Sequence, residues 1–201
     1  MRGLPVQIGA GAALLLAAVC CLGDLGTLTA VLLPILAHEL GHLLALWLLR
    51  MPVRRFRVEL RGFCIEYGGA AGALAHSFIA AAGPLAGLIY ALLCSHYARE
   101  TGSDWLCLTA GVSLVLSGFN LLPALPLDGG CILLRLSGAV LGEKRGRLVT
   151  EVCGLLVASG MLGGGLYLLS QGRGAALLVA ALWLLFSQDA GEGLVKAREI
   201  L

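Results

Sequence analysis

Charged residues are scarce in this 201-residue sequence. Asp, Glu, Lys and Arg make up 13% of it, whereas soluble globular domains average about 25%. Hydrophobic residues make up 59%, and the mean hydropathy is +0.92. A single core of a chain this short cannot hide so much apolar surface, so the composition predicts an all-α polytopic membrane protein surrounded by the lipid bilayer. The net charge of +2 is too small to indicate nucleic-acid binding.

A CxxC pair is also missing. The seven cysteines are odd in number and scattered, mostly within apolar runs. This distribution favours small hydrophobic residues inside helices over disulfides or a thiolate metal site.

Long runs of apolar residues are the main feature of the sequence. The hydrocarbon core of a bilayer, about 30 Å thick, needs about 20 apolar residues per helix. The runs predict about six transmembrane helices, near Leu4–Leu22, Leu28–Leu49, Leu74–Tyr97, Trp105–Leu125, Leu148–Leu169 and Ala175–Phe186. The first could be mistaken for a signal peptide, but it lacks a convincing small-x-small cleavage site, so a retained helix is expected.

Lys and Arg residues give the expected orientation. With six spans and a cytoplasmic N-terminus, all of the 14 cations except Arg99 and Arg173 lie on the inner side. This bias follows the positive-inside rule. It predicts a multi-pass protein of the cell membrane with both termini in the cytoplasm.

The loop after the second predicted span alternates apolar and polar residues on both sides of Gly62. Alternation with period two is typical of strands, so residues 56–67 are expected to form a short cytoplasmic-side β-hairpin. An amphipathic loop resting on the headgroups is the alternative. The free edge of a hairpin could accept an extended peptide as an added strand. The apolar positions are Phe56, Val58, Leu60, Phe63, Ile65 and Tyr67.

The second predicted span contains the motif His38-Glu39-Leu40-Gly41-His42. Residues four apart lie on one face of a helix, so the two imidazoles can reach the same metal ion. Glu39 is turned by about 100° from His38, close enough to reach a metal-bound water without being a ligand. Ionisable residues within a membrane span are functional by default, and H-E-x-x-H is the arrangement of zinc hydrolases. Two structural histidines with a paired glutamate are the much weaker alternative.

A catalytic zinc site usually has three protein ligands and an open position for water. The third-ligand candidate is Asp128, in the segment Asn120-Leu-Leu-Pro-Ala-Leu-Pro-Leu-Asp128-Gly-Gly. Its prolines break a helix end and its glycines permit tight turns. Broken backbone at membrane depth is tolerated against protein or a water-filled cavity. His76 is a possible ligand without a supporting pattern, and an ordinary loop aspartate is the alternative for Asp128.

The two motifs, HELGH and NLLPALPLDGG, resemble the site-2 protease family of intramembrane zinc metalloproteases. The resemblance covers about residues 30–135 and is closest to the branch of the stage IV sporulation protease, which acts on a sigma-factor precursor. It implies one Zn²⁺ per chain held by His38, His42 and Asp128, with Glu39 as general base. It also implies that Asn120 helps to hold the substrate peptide or the developing oxyanion. The stretch Ala82-Gly83-Pro84-Leu85-Ala86-Gly87 resembles a further family motif in which Asn is common where Gly87 stands.

The resemblance implies a bacterial zinc metalloendopeptidase that cleaves a membrane-embedded or membrane-tethered protein, with membrane proteins as possible regulators. The sequence is expected to form one intramembrane domain with a catalytic core at about 28–135 and no PDZ or CBS domain. A transporter or an inactive metal-binding scaffold remains an alternative. Serine and aspartyl intramembrane proteases are excluded, since no GxSxG or GxGD string occurs.

Overall fold

The computed structural model describes residues 6–8, 24–59, 62–67 and 72–199. Within these ranges the chain forms three strands and six helices. The strands are β1 (Val6–Ile8), β2 (Val53–Glu59) and β3 (Gly62–Tyr67). The helices are α1 (Leu25–Leu48), α2 (Ala73–Thr101), α3 (Asp104–Asn120), α4 (Asp128–Leu141), α5 (Glu143–Ser170) and α6 (Ala176–Glu199).

Three of the described helices are long and apolar enough to cross a membrane: α1, α2 and α5. They match the second, third and fifth predicted spans. The sixth corresponds to a shorter apolar segment, Ala176–Ser187, within α6. The fourth span is shorter than predicted, because α3 has 17 residues and ends at Asn120. Pro123 lies three residues further on, and a proline disfavours helical backbone at the residue before it. The described residues therefore do not support the count of six spans.

The first predicted span, Leu4–Leu22, is wrong where the structure describes it. Val6–Ile8 is a strand that pairs in parallel with Phe56–Val58 of β2. Valine and isoleucine have high strand propensity, and a short apolar run cannot be assigned to helix or strand by hydropathy alone. The rest of that span, residues 4–5 and 9–22, lies outside the described residues.

The segment with the alternating pattern holds β2 and β3. These strands pair antiparallel, with Val53 opposite Tyr67 and Glu59 opposite Gly62, and the register shifts between Val53 and Arg55. The sheet has the order β1-β2-β3, so β3 is an edge strand of the described sheet.

The chain divides into two compact units. The first comprises Met1–Ala70 and Ala81–Phe119, and the second comprises Ala71–Ala80 and Asn120–Leu201. In the first unit, Asp24 caps α1 by accepting hydrogen bonds from the amides of Gly26 and Thr27. The Trp105 indole at the start of α3 donates to the carbonyl of Gly26 at 2.9 Å. This bond ties the first turns of α1 and α3 together.

Small residues bring the helices of the second unit close together. An added Cβ at Gly146 in α5 would lie 2.4 Å from the backbone nitrogen of Gly138 in α4. The Ser137 hydroxyl donates to the carbonyl of Gly146 at 3.1 Å. Gly165 of α5 lies similarly close to the backbone of Leu178 in α6. Close backbone approach through small residues is the usual packing of helices in lipid.

Candidate metal centre

His38 and His42 lie on one face of α1, one turn apart. Their Nε2 atoms are 3.2 Å apart, and the ring centroids are 4.9 Å apart with the planes at 79°. Two nitrogens that each lie about 2.0–2.1 Å from a tetrahedral zinc ion would be roughly 3.3 Å from each other. The observed separation, at which the two rings hydrogen-bond each other, is close to this value, so both imidazoles can reach one ion without a large movement. His38 is buried, at 5% exposure, and His42 is half-buried.

Two glycines make room for these histidines. An added Cβ at Gly41, between the two, would lie 2.4 Å from the carbonyl oxygen of Ala82 in α2. One at Gly83 would lie 2.2 Å from Nε2 of His42. The backbone of α2 thus lies directly against α1 and against the imidazole ring. Neither contact follows from the helical period or from the spacing of the motifs.

Asp128 is the first residue of α4, and its side chain is half-buried. An added Cβ at Gly129 would lie 2.1 Å from the carbonyl oxygen of Leu121, and one at Gly130 would lie 2.4 Å from the carbonyl carbon of Ala124. The connection between α3 and α4 is therefore folded tightly against the first turn of α4. Only glycine fits at these two positions without a shift of the backbone. The tight folding of the connection places the Asp128 carboxylate at the start of α4.

The structure brings the three candidate ligands together. One ligand atom each from His38, His42 and Asp128 lies within 4.8 Å of the others, which makes this trio a group that could hold a metal ion. Two nitrogens and one oxygen are a donor set found in catalytic zinc sites. Three protein ligands also leave a fourth position for water. His76, the alternative ligand, is outside this group.

Glu39 and Asn120 are the other two predicted site residues. Glu39 follows His38 in α1, and Asn120 is the last residue of α3. Both side chains are half-buried, and both take part in interactions within the structure. Their roles in chemistry remain predictions.

No family model matches the sequence. A curated protein from Synechocystis sp., provisionally named a zinc metalloprotease, is 31% identical over 153 residues. That alignment covers 69% of this chain, and the chain spans about 40% of the relative's length. Among solved structures, the chain is similar to a site-2 protease from Methanocaldococcus jannaschii, with a TM-score of 0.70 and 20% identity. The match covers 95% of this chain and 92% of the archaeal chain. Similarity of this extent shows that the chain has the fold of that site-2 protease.

Proposed function

We propose that this chain is an intramembrane zinc metalloendopeptidase of the site-2 protease type. The observation that carries the proposal is the grouping of His38, His42 and Asp128 on this fold. The Synechocystis relative and the archaeal structure support the same chemistry. One Zn²⁺ per chain is the cofactor that fits two imidazoles and a carboxylate.

Each residue has a distinct role in this proposal. When bound, a zinc ion would supply a Lewis acid that lets water lose a proton near neutral pH. Glu39 accepts a proton as the water attacks the scissile carbonyl, and it returns a proton to the leaving amine. Asn120 hydrogen-bonds the substrate peptide or its developing oxyanion.

The substrate is a membrane-embedded or membrane-tethered protein. A helical substrate must unwind before cleavage, because helical hydrogen bonds shield its carbonyl groups. Among the described strands β3 pairs with β2 alone, so its other edge has backbone groups to offer an extended peptide. Addition of the unwound segment to this edge would satisfy its backbone groups and hold it straight. Proline substitutions in β3 should then slow cleavage while zinc content is unchanged.

The finer assignments belong to the same proposal. Three long apolar helices support a multi-pass membrane protein, and the Synechocystis relative supports a bacterial cell membrane. Two cytoplasmic termini depend on an even number of spans together with the distribution of Lys and Arg. The resemblance of the motifs is the basis for three further assignments. These are six spans, a sporulation substrate such as a sigma-factor precursor or an anti-sigma factor, and regulation by membrane proteins.

The direct test is Glu39→Gln in the full chain, which removes the base and conserves the side-chain shape. The variant should fold and bind zinc as the wild type does, yet should not cleave. Comparing membrane proteomes of cells with either form should show one single-pass or tethered protein that accumulates uncut in the variant. Cleavage by the purified variant would contradict the mechanism. Zinc binding without any cleavage by the wild type would favour an inactive scaffold.

A further inference from the structure

A proline interrupts α1 one turn before the first histidine. Pro34 is fully buried within the helix. Proline has no N–H, so the carbonyl of Ala30 loses the donor that a regular helix would provide. Ala30 is itself completely buried. Without water to replace the bond, an unpaired carbonyl at this depth is costly.

Thr109 of α3 supplies the missing donor. Its hydroxyl donates to the carbonyl of Ala30 at 3.0 Å, and the side chain is completely buried. Threonine within a helix commonly donates to the carbonyl four residues earlier in the same helix, as Thr150 does to Gly146. Thr109 instead bonds to another helix, at the one carbonyl that Pro34 leaves without its amide partner.

Tyr90 of α2 completes this contact. Its hydroxyl lies 3.3 Å from the Oγ1 of Thr109. The single hydroxyl proton of Thr109 is directed to Ala30, so Tyr90 is the donor in this second bond. Side chains from α2 and α3 are thereby linked to the turn of α1 that lacks the Pro34 donor.

A proline kink sets the direction of the helix that follows it. In α1 the following segment carries His38 one turn later and His42 two turns later. The residues of a functional site must be held to within about 0.5 Å, and a proline turn with an unpaired carbonyl has no hydrogen bond to hold it in one geometry. We propose that Thr109 is a positioning residue, which fixes the backbone of α1 around Pro34 and so holds His38 and His42 in place for the metal ion.

The inference rests on the proposed metal centre, and its test measures the metal rather than proteolysis. Thr109→Val removes the hydroxyl with little change of volume, whereas Thr109→Ser keeps it. Zinc affinity is measured by chelator competition, and site geometry by the visible absorption spectrum of the Co²⁺-substituted chain. Thr109→Val should lower zinc affinity about tenfold or more, as loss of a supporting hydrogen bond does at other metal sites, and should alter the Co²⁺ spectrum. Thr109→Ser should restore both.

Thr150→Val is the matched control, because it also removes a buried threonine hydroxyl, but one whose bond stays within its own helix. It should leave the Co²⁺ spectrum unchanged. Wild-type affinity and spectrum in Thr109→Val would overturn the inference while leaving the metal centre intact. Absence of zinc binding in the wild type would instead overturn the proposed function.

A second comparison covers the case in which Thr109→Val folds but is too unstable for metal titration. Pro34→Ala returns an amide donor to the carbonyl of Ala30. Thr109→Val should therefore lower the thermal unfolding temperature less in the Pro34→Ala background than in the wild type. An equal decrease in both backgrounds would show that Thr109 does not compensate for Pro34, and the inference would fail.

Discussion

Gly83 of α2 lies directly against the ring of His42. A Cβ placed on Gly83 would be 2.2 Å from Nε2 of the imidazole and 2.5 Å from its Cε1. Real Cβ atoms do not approach other atoms so closely, so any larger residue must displace the ring or separate α1 from α2.

Gly83→Ala should therefore weaken metal binding. The displaced imidazole can no longer reach an ion shared with His38, and we expect zinc affinity to fall by roughly tenfold or more, the scale of disturbed support around a metal site. Affinity is measured by chelator competition on purified protein. Gly111→Ala in α3 is the control, because a Cβ there meets nothing within 4 Å. Unchanged zinc affinity in Gly83→Ala would show that the His42 ring does not need its place against Gly83 to bind the metal.

Gly87 and Ser117 form a second close contact, between α2 and α3. A Cβ on Gly87 would lie 2.2 Å from the Ser117 hydroxyl oxygen but 3.6 Å from its Cβ. Gly87→Ala alone should lower the free energy of unfolding by about 1–3 kcal/mol through overpacking. In the Ser117→Ala background the same change should cost almost nothing, because two methyl groups at that distance are in ordinary contact.

Ser117→Ala by itself should be neutral or stabilising. The hydroxyl is completely buried and has no hydrogen-bond partner among the described residues, so its removal relieves a desolvation cost of about 1–3 kcal/mol. The free energy of unfolding in detergent, measured for the wild type, the two single variants and the double variant, gives the coupling energy between Gly87→Ala and Ser117→Ala. Additive effects of Gly87→Ala and Ser117→Ala would contradict the contact.

Asp24 at the start of α1 predicts a pH dependence. Hydrogen bonds from the hydroxyl and amide of Thr27 hold the pKa of its carboxyl below the ordinary value of 3.8. The cap therefore contributes stability that is fully present above pH 3.8 and is lost as the pH falls through the lowered pKa. Asp24→Ala should lower the unfolding temperature at neutral pH, and the difference from wild type should shrink on acidification. A difference independent of pH would show that the charge of Asp24 contributes nothing.

The candidate ligand residues have local signals in the sequence. The helical period alone places His38 and His42 on one face, whatever surrounds them. Asp128 was predicted from prolines and glycines that break the helix near it. The structure shows the physical reason, since Gly129 and Gly130 lie against the backbone of Leu121 and Ala124.

Features that depend on tertiary partners were not predictable in this way. The contact of Gly83 with His42 and the bond from Thr109 to Ala30 join residues far apart in sequence, and no local period marks them. Hydropathy also misassigned Val6–Ile8, because strand and helix bury apolar residues equally well and the pairing partner of this segment lies in β2. The fourth predicted span, Trp105–Leu125, extends beyond the end of α3 at Asn120, because the residues that follow Asn120 are also apolar.

The account depends on two imidazoles and one carboxylate sharing a single zinc ion, and metal analysis of the purified full chain tests this most directly. The wild type should contain one zinc per chain, and Asp128→Ala should lose most of it, while Asp104→Ala, at the start of α3, should keep it. Full zinc occupancy in Asp128→Ala, with unchanged chelator resistance, would contradict the assignment of the third ligand and the hydrolytic centre built on it.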